Sequence, residues 1–277
     1  MVRIIVDSTA DLRPDLRKRV GVVPLTIRFG TDEYVDGVDI TGPAFYKKLE
    51  TCRELPTTSQ AAPYAFSELF EEAVDTGDTV VAIVVSSALS GTYQSAVIAA
   101  SDYPGKVFVV DSRTIAIGEA ALAEYALSLV DRGMDARAVA AELDAVKEKV
   151  KLFAVVDTLE YLQRGGRLSR TVAVAGGLLS VKPIVTIDGG VIKMAGKARG
   201  NKQANALMDA KVTELGVDWD KPCVLGYTGT SDELLRKYQA QSQIWTGDVE
   251  KALVSGVVGT HVGPGAVAVA FFAKDCE

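Results

Sequence analysis

The sequence has one histidine, few cysteines and no long hydrophobic run, and each shortage excludes a class of protein. The cysteines, Cys52, Cys223 and Cys276, are far apart and form no CxxC or Cys/His spacing, so no disulfide framework and no metal site is predicted. The apolar stretch AVAVAFFA near the C-terminus is far below the ~18–20 residues that span a bilayer. The N-terminus resembles a strand rather than a signal peptide. We expect a cytoplasmic protein whose membrane contact, if any, is transient.

An excess of positive charge is also lacking. The chain carries 30 Lys and Arg against 36 Asp and Glu, a net charge of −6, so nucleic-acid binding is not expected. One local cluster, Lys193, Lys197, Arg199 and Lys202, is either a solvated edge or a docking surface for an acidic partner or a nucleotide. The sequence contains no Walker A motif, no kinase signature and no GxGxxG motif after a predicted strand, so no cofactor is predicted.

The first half alternates between strands and helices. RIIVD, TVVAIVVSS and VFVVD are apolar runs typical of strands buried on both faces, and the helices between them have apolar stripes, such as Phe66, Phe70 and Ala73. A length of 277 residues favours two domains. This pattern predicts an N-terminal three-layer α/β domain over residues 1–148 with a mostly parallel sheet.

The second half has a different pattern. LFAVVD, KPIVTI, GVIKMAG, CVLGYTG and AVAVAFFA are predicted strands, and Asp188-Gly189-Gly190 is a turn signal between two of them. We therefore expect a C-terminal α+β domain over residues 149–277 with a mixed or antiparallel sheet. Ligands often occupy the space between domains, so a ligand tunnel is expected between or within them.

Two hydroxyl-rich segments stand where ligands gather in α/β sheets. SSALSGTYQSA follows a strand, and Ser90, Gly91 and Thr92 enter the next helix, where free N–H groups suit an anion. PTTSQAAP offers Thr57, Thr58 and Ser59 between two predicted helices. Ordinary helix capping by Ser or Thr also explains both segments, and spacing alone favours it for SSALSGTYQSA.

The single histidine, His261, lies in GTHVGPG, which we interpret as a glycine-rich loop suited to close approach of a ligand rather than as an apolar helical face. In LEYLQRGGRLS, Arg164 and Arg167 flank a Gly-Gly helix end, where cations are also explained by helix capping.

A hydrolase is the enzyme alternative. Ser90, His261 and either Asp7 or Asp111 could form a catalytic triad. However, Ser90 lies in ALSGT rather than in a GxSxG nucleophile elbow. These segments suit the binding of an anion better than the activation of a nucleophile, and no catalytic residue is predicted.

The ordered set of VDSTADL, PTTSQAAP, SSALSGTYQSA, VVDSRT, LEYLQRGGRLS, KPIV with GKARG, and GTHVGPGAVAVAF resembles the DegV family, which includes the FakB fatty-acid-binding subunits. The resemblance implies a fatty acid in a buried tunnel. It implies that the TSQ and SGT loops hold the carboxylate, with a histidine close by; these residues are Thr58, Ser59, Ser90, Gly91, Thr92 and His261.

The resemblance also implies a partner. A FakA-type kinase would transfer phosphate from ATP to the bound carboxylate, which gives an acyl phosphate for phospholipid synthesis. Arg167 and Arg199 match basic positions near the head group or the partner. Ala61-Ala62 departs from the Pro-Ser that many members carry after TSQ. The alternatives are a stand-alone acyl hydrolase that uses Ser90 and His261, and a lipid-sensing or storage protein without a kinase.

Overall fold

The computed structural model describes residues 1–168 and 180–274. The strands are β1 (Val2–Asp7), β2 (Gly21–Val23), β3 (Thr26–Phe29), β4 (Asp32–Val35), β5 (Thr57–Ser59), β6 (Thr79–Val84), β7 (Val107–Asp111), β8 (Val150–Val155), β9 (Val181–Asp188), β10 (Val191–Arg199), β11 (Val224–Tyr227), β12 (Glu250–Leu253) and β13 (Val267–Phe272). The helices are α1 (Pro14–Arg17), α2 (Gly42–Thr51), α3 (Pro63–Asp75), α4 (Thr92–Ala100), α5 (Ile117–Asp131), α6 (Ala136–Val146), α7 (Glu160–Arg164), α8 (Gly200–Leu215), α9 (Glu233–Gln241) and α10 (Gly256–Val262). A 3₁₀ turn covers Lys147–Lys149.

The first sheet has four parallel strands in the order β2-β1-β6-β7. Five consecutive residues of β6, Val80 to Val84, are apolar and buried. Because successive side chains on a strand point to opposite faces, β6 packs on both sides of the sheet. Val81 and Ile83 join the core formed with α5 and α6, whereas Val80 and Ala82 join the core formed with α3 and α4. The predicted three-layer α/β arrangement is confirmed.

The second sheet has six strands in the order β10-β9-β8-β13-β11-β12. Only β11 and β12 pair in parallel, so the predicted mixed sheet is also confirmed. Gly189 and Gly190 form the turn between β9 and β10, both with positive φ, which a two-residue hairpin of this kind needs. Helices α8 and α9 cover one face, and α5 packs on the other.

A third, small sheet in the order β4-β3-β5 corrects one expectation. PTTSQAAP was expected to be a loop between helices, yet Thr57–Ser59 forms β5, which pairs antiparallel with β3 and sets Thr58 opposite Ile27. Helix α10, from the C-terminal half, packs on β3, β5 and α2. This contact joins the N-terminal and C-terminal halves of the chain. The expected division into domains of residues 1–148 and 149–277 therefore stays a prediction.

Candidate functional site

The side chain of His261 contacts the side chain of Thr58. His261 lies in the last turn of α10, so the expectation of a loop at this residue is wrong. The helix continues through Val262, and Gly263, with a φ of 76°, ends it. The His261 Nε2 atom lies 2.8 Å from the Thr58 Oγ1 atom of β5. The loop is therefore confined to Gly263-Pro264-Gly265.

The imidazole of His261 is neutral at physiological pH. Burial lowers its pKa from 6.5 to about 4, and the positive charge of Arg167 contributes to the same shift. Its Nδ1 atom is buried without a hydrogen-bond partner among the described residues. Gly165 leaves room for the ring, since a Cβ there would lie 2.2 Å from Nδ1. A neutral ring carries one N–H group, which can donate a hydrogen bond to the Thr58 hydroxyl oxygen. The hydroxyl proton of Thr58 is then available for a second hydrogen bond.

The SGT segment lies beside the TSQ segment. Helix α4 begins at Thr92, and the Ser90 hydroxyl accepts a hydrogen bond from the Thr92 N–H at 3.2 Å. The Thr92 hydroxyl in turn accepts from the Ala61 N–H at 3.3 Å. The Gln60 carboxamide donates to the Ser95 hydroxyl at 3.0 Å. Ser90 thus stabilises the helix entry, and it also lines the cavity described below.

Arg167 supplies a positive charge beside this site. Its guanidinium donates to the carbonyl oxygens of Gly165 at 2.7 Å and Leu89 at 3.3 Å, and no carboxylate of the described residues pairs with it. Partial burial lowers its pKa, so a negative ligand would stabilise its charged form. Arg164 instead pairs with Glu160. Arg199 lies exposed at the end of β10 and is not among the residues that line the cavity described below.

These side chains line the more polar of two adjoining spaces, which we call the polar end of the cavity. The polar end is lined by Thr9, Leu25, Thr58, Ser59, Gln60, Val85, Leu89, Ser90, Ile115, Leu162, Arg167, Ile192, Val257, Val258, His261 and Val262. The adjoining space, which we call the apolar chamber, shares five of these residues, Ile115, Leu162, Ile192, Val258 and Val262. Its other lining residues are Ala116, Ile117, Leu152, Ala154, Val185, Thr186, Ile187, Gly226, Tyr227, Thr228, Val254, Ala266 and Ala268.

Two buried carboxyl groups hold the N-terminus of α10, a role that the sequence did not suggest. Asp11, from VDSTADL, accepts a hydrogen bond from the Ser255 N–H at 2.7 Å. Asp36 lies beside the N–H groups of Gly256 and Val257. The Ser255 N–H stands at the N-cap of α10, where the helix supplies no acceptor, so Asp11 supplies one. Together the two carboxyl groups fix the helix that carries His261.

We expect the stability of the protein to reflect the titration of Asp36. Burial raises the pKa of Asp36 from 3.8 to about 6, so the folded state keeps a proton that the unfolded chain loses. Its contribution is therefore complete below pH 3.8 and declines as the pH rises through about 6. The total change is about 3 kcal/mol at 1.36 kcal/mol per pKa unit. The difference in unfolding free energy between the native protein and Asp36→Asn, measured with urea, should fall across this interval. Parallel pH profiles would contradict this prediction.

The described residues do not assemble the hydrolase triad. The Asp7 carboxylate accepts from Thr9 and from the Val85 N–H, and the Asp111 carboxylate accepts from Ser87 and the Arg113 N–H. Neither carboxylate contacts His261, whose hydrogen bond goes to Thr58 rather than to Ser90. The arrangement supplies hydroxyls and a cation to a ligand but does not activate a serine.

Three further observations concern predicted absences. Cys52 and Cys223 are free thiols, while Cys276 lies outside the described residues. In residues 1–168 and 180–274, no group of His, Cys, Asp and Glu side chains is arranged to hold a metal ion. Among the helices of the same ranges, none combines the length and apolar character that crossing a bilayer requires.

Comparison with known proteins confirms the resemblance drawn from the motifs. A family model described as "Uncharacterised protein, DegV family" matches residues 1–274. A DegV domain-containing protein of Caldanaerobacter subterraneus subsp. tengcongensis is 36% identical over 278 residues, which cover 99% of each chain.

Solved structures share the fold over the same length. A Thermus thermophilus structure described as "Fatty Acid Binding of a DegV family Protein" has a TM-score of 0.87 and 31% identity, and the match covers 99% of both chains. A "fat acid (stearic acid)-binding protein" of Eubacterium ventriosum has a TM-score of 0.83 and 25% identity, again with 99% of each chain covered.

Proposed function

This chain belongs to the DegV family, and on that premise we propose that it binds one long-chain fatty acid. The carboxylate would lie at the polar end of the cavity, and the acyl chain would lie in the apolar chamber. The observation that carries the proposal is that the two spaces adjoin and share five lining residues. One end holds the Thr58 hydroxyl, the neutral His261 and Arg167, which has no acidic partner in the described part of the chain. Mostly aliphatic side chains line the other end.

The polar end suits a carboxylate. If His261 donates its Nε2 proton to Thr58, the Thr58 hydroxyl can donate to a carboxylate oxygen, and Ser59 and Ser90 offer further hydroxyls. Arg167 donates only to carbonyl oxygens among the described residues and would compensate the charge of the ligand. Gly91 and Thr92 would contribute by shaping the start of α4 beside Ser90.

The apolar chamber would supply most of the affinity. At ~0.8 kcal/mol per methylene, burial of about 15 methylenes gives a gross gain of ~12 kcal/mol, which the costs of association and ordering reduce. The head-group residues would set the orientation of the fatty acid and the reactivity of its carboxylate. The stearic acid named for the Eubacterium ventriosum protein has an acyl chain of similar length.

We propose further that the bound carboxylate is presented to a FakA-type kinase, with Arg167 and Arg199 contributing to closure or partner contact. This role follows from the resemblance to FakB subunits and from the lack of an ATP-binding motif in the sequence. The chain itself would perform no chemistry. A lipid-sensing or storage role would be favoured instead if no cognate kinase were stimulated.

The first experiment is to denature the purified protein and analyse the organic extract by mass spectrometry. We expect a fatty acid in roughly stoichiometric amount, because a buried apolar chamber retains its ligand through purification. The absence of lipid, even after incubation with fatty acids of several lengths, would contradict the proposal.

Thr58→Val tests the polar end with a matched control. Valine keeps the β-branched shape in β5 but removes the hydroxyl that contacts His261, so affinity for a fatty acid and acyl-phosphate formation with the kinase should each fall about tenfold or more. Thr57→Val changes the neighbouring residue, which is exposed and does not line the cavity, and should leave both unchanged. Equal behaviour of the two variants would remove Thr58 from the site.

A further inference from the structure

A second cavity lies on the opposite face of the six-stranded sheet from the apolar chamber. Val155 of β8 and Val267 of β13 form its floor, on the face covered by α8 and α9. The neighbouring residues Ala154 and Ala268 point the other way and line the apolar chamber. The second cavity is therefore separated from the proposed fatty-acid site by the thickness of the sheet.

A buried carboxamide opens into this second cavity. Asn205 of α8 is only 8% exposed and lines the cavity, yet its side chain makes no hydrogen bond to any residue in 1–168 or 180–274. The polar atoms of this carboxamide remain accessible from the cavity, so they are free to bind a ligand there. The carboxamide can donate two hydrogen bonds to a ligand.

The rest of the lining offers positive charge and further donors. Lys202 of α8 and Lys237 of α9 border the cavity, and the carboxamide of Gln241 adds another donor. Lys237 forms an ion pair with the exposed Glu233, with 2.6 Å between Nζ and Oε1. Lys202 has no acidic partner in the described part of the chain. No carboxylate belongs to the lining, as far as residues 1–168 and 180–274 describe it.

The cavity also lies at the N-terminal end of α8. This helix runs over Gly200–Leu215, and the Gly200 N–H is already bonded to the Ser180 carbonyl at 2.7 Å. The N–H groups of Asn201 and Lys202 belong to the first turn, which has no intrahelical acceptors for them. The partial positive charge of the helix end adds to that of the lysines.

We propose that this second cavity binds a phosphate-bearing ligand, held by Lys202, the Asn205 carboxamide and the first turn of α8. A tetrahedral oxyanion accepts several hydrogen bonds at once, which matches donors that converge from α8 and α9. The proposal also gives a role to Lys202, one member of the basic cluster found in the sequence. It is independent of the fatty-acid site because the two cavities share no lining residue.

Calorimetric titration of the whole protein with inorganic phosphate, at constant ionic strength, tests the proposal. We expect saturable binding of one phosphate and at least about a tenfold weaker affinity in Lys202→Met and in Asn205→Leu. Lys197→Met is the matched control, because Lys197 is a lysine of β10 outside the lining, and its affinity should stay within about twofold. Lys202 is exposed, so its variant carries the test even if Asn205→Leu destabilises the fold.

Adenosine monophosphate in a parallel titration separates two sources of the same chemistry. Tighter binding than phosphate would support a nucleotide as the ligand, and equal binding would support free phosphate. The lack of saturable binding of either compound up to about 10 mM would overturn the proposal. An equal loss in Lys197→Met and Lys202→Met would also overturn it, because diffuse surface charge would then explain the binding.

Discussion

Gly165→Ala is expected to destabilise the protein by about 1–3 kcal/mol and to weaken fatty-acid binding at least about tenfold. Gly165 has a φ of −72°, so an alanine fits the backbone there without strain. The added methyl, however, would lie 2.2 Å from Nδ1 and 3.0 Å from Cε1 of His261. His261 lies on α10 and lines the cavity, so relief of the clash requires a shift of its ring, and such a shift disturbs the 2.8 Å contact with Thr58.

A double-mutant cycle separates this clash from a general effect of the added methyl. In a His261→Ala background the methyl meets no imidazole, so Gly165→Ala should cost less than about 0.5 kcal/mol there. We therefore expect a coupling energy of at least about 1 kcal/mol from urea unfolding of the four proteins. Additive effects would show that Gly165 does not make room for the histidine. The stability part of this test holds whatever the ligand is.

Helix α10 illustrates what the sequence could not predict. It contains Gly256 and Gly259, and glycine lowers helix propensity by about 1 kcal/mol, so local preference argued for a loop. The structure shows why glycine is needed: a Cβ at Gly256 would lie 2.6 Å from Ile27, and one at Gly259 would lie 2.6 Å from Tyr46. Close packing on β3 and α2 therefore overrides propensity. Those neighbours belong to the opposite end of the sequence, which local patterns do not reveal.

The sheets were easier to predict because their signals are local. The continuous apolar run of β6 and the Asp188-Gly189-Gly190 turn each indicate a structure through adjacent residues. Strand β5 was missed because three polar residues, Thr57–Ser59, have no apolar alternation, and only pairing with β3 defines them as a strand. The family resemblance indicated that Thr58 and His261 bind the carboxylate of a ligand. Their direct contact with each other could be seen only in the folded structure.

The acidic residues of VDSTADL were also beyond local inference. Asp7 and Asp11 are buried, and their hydrogen bonds go to the Val85 and Ser255 N–H groups, which belong to distant segments. From the sequence, the motif indicated only a polar turn after a strand. In the fold it connects the end of β1 with the loop that follows β6 and with the N-terminus of α10.

If the protein binds a fatty acid as proposed, Ala268→Phe is expected to shift its preference from long fatty acids to short ones. Ala268 points from β13 into the apolar chamber, where its cross-strand partner is Gly226, so the new ring has no large side chain opposite it. If the ring excludes about five methylenes, stearic acid should lose ~4 kcal/mol of binding free energy, close to a thousandfold in affinity. Decanoic acid, whose tail would end before the ring, should bind within about threefold of its native affinity.

Two measurements give this prediction its control. The unfolding midpoint of the ligand-free variant is measured first, because Ala268 belongs to the buried core and overpacking by a larger side chain there costs about 1–3 kcal/mol. A titration series from decanoic to stearic acid then separates loss of the tail site from loss of the head-group site. Equal weakening at every length would mean that the acyl chain does not extend along β13. A sharp break at one length would instead measure the distance from the carboxylate to residue 268, and it would do so without a ligand-bound structure.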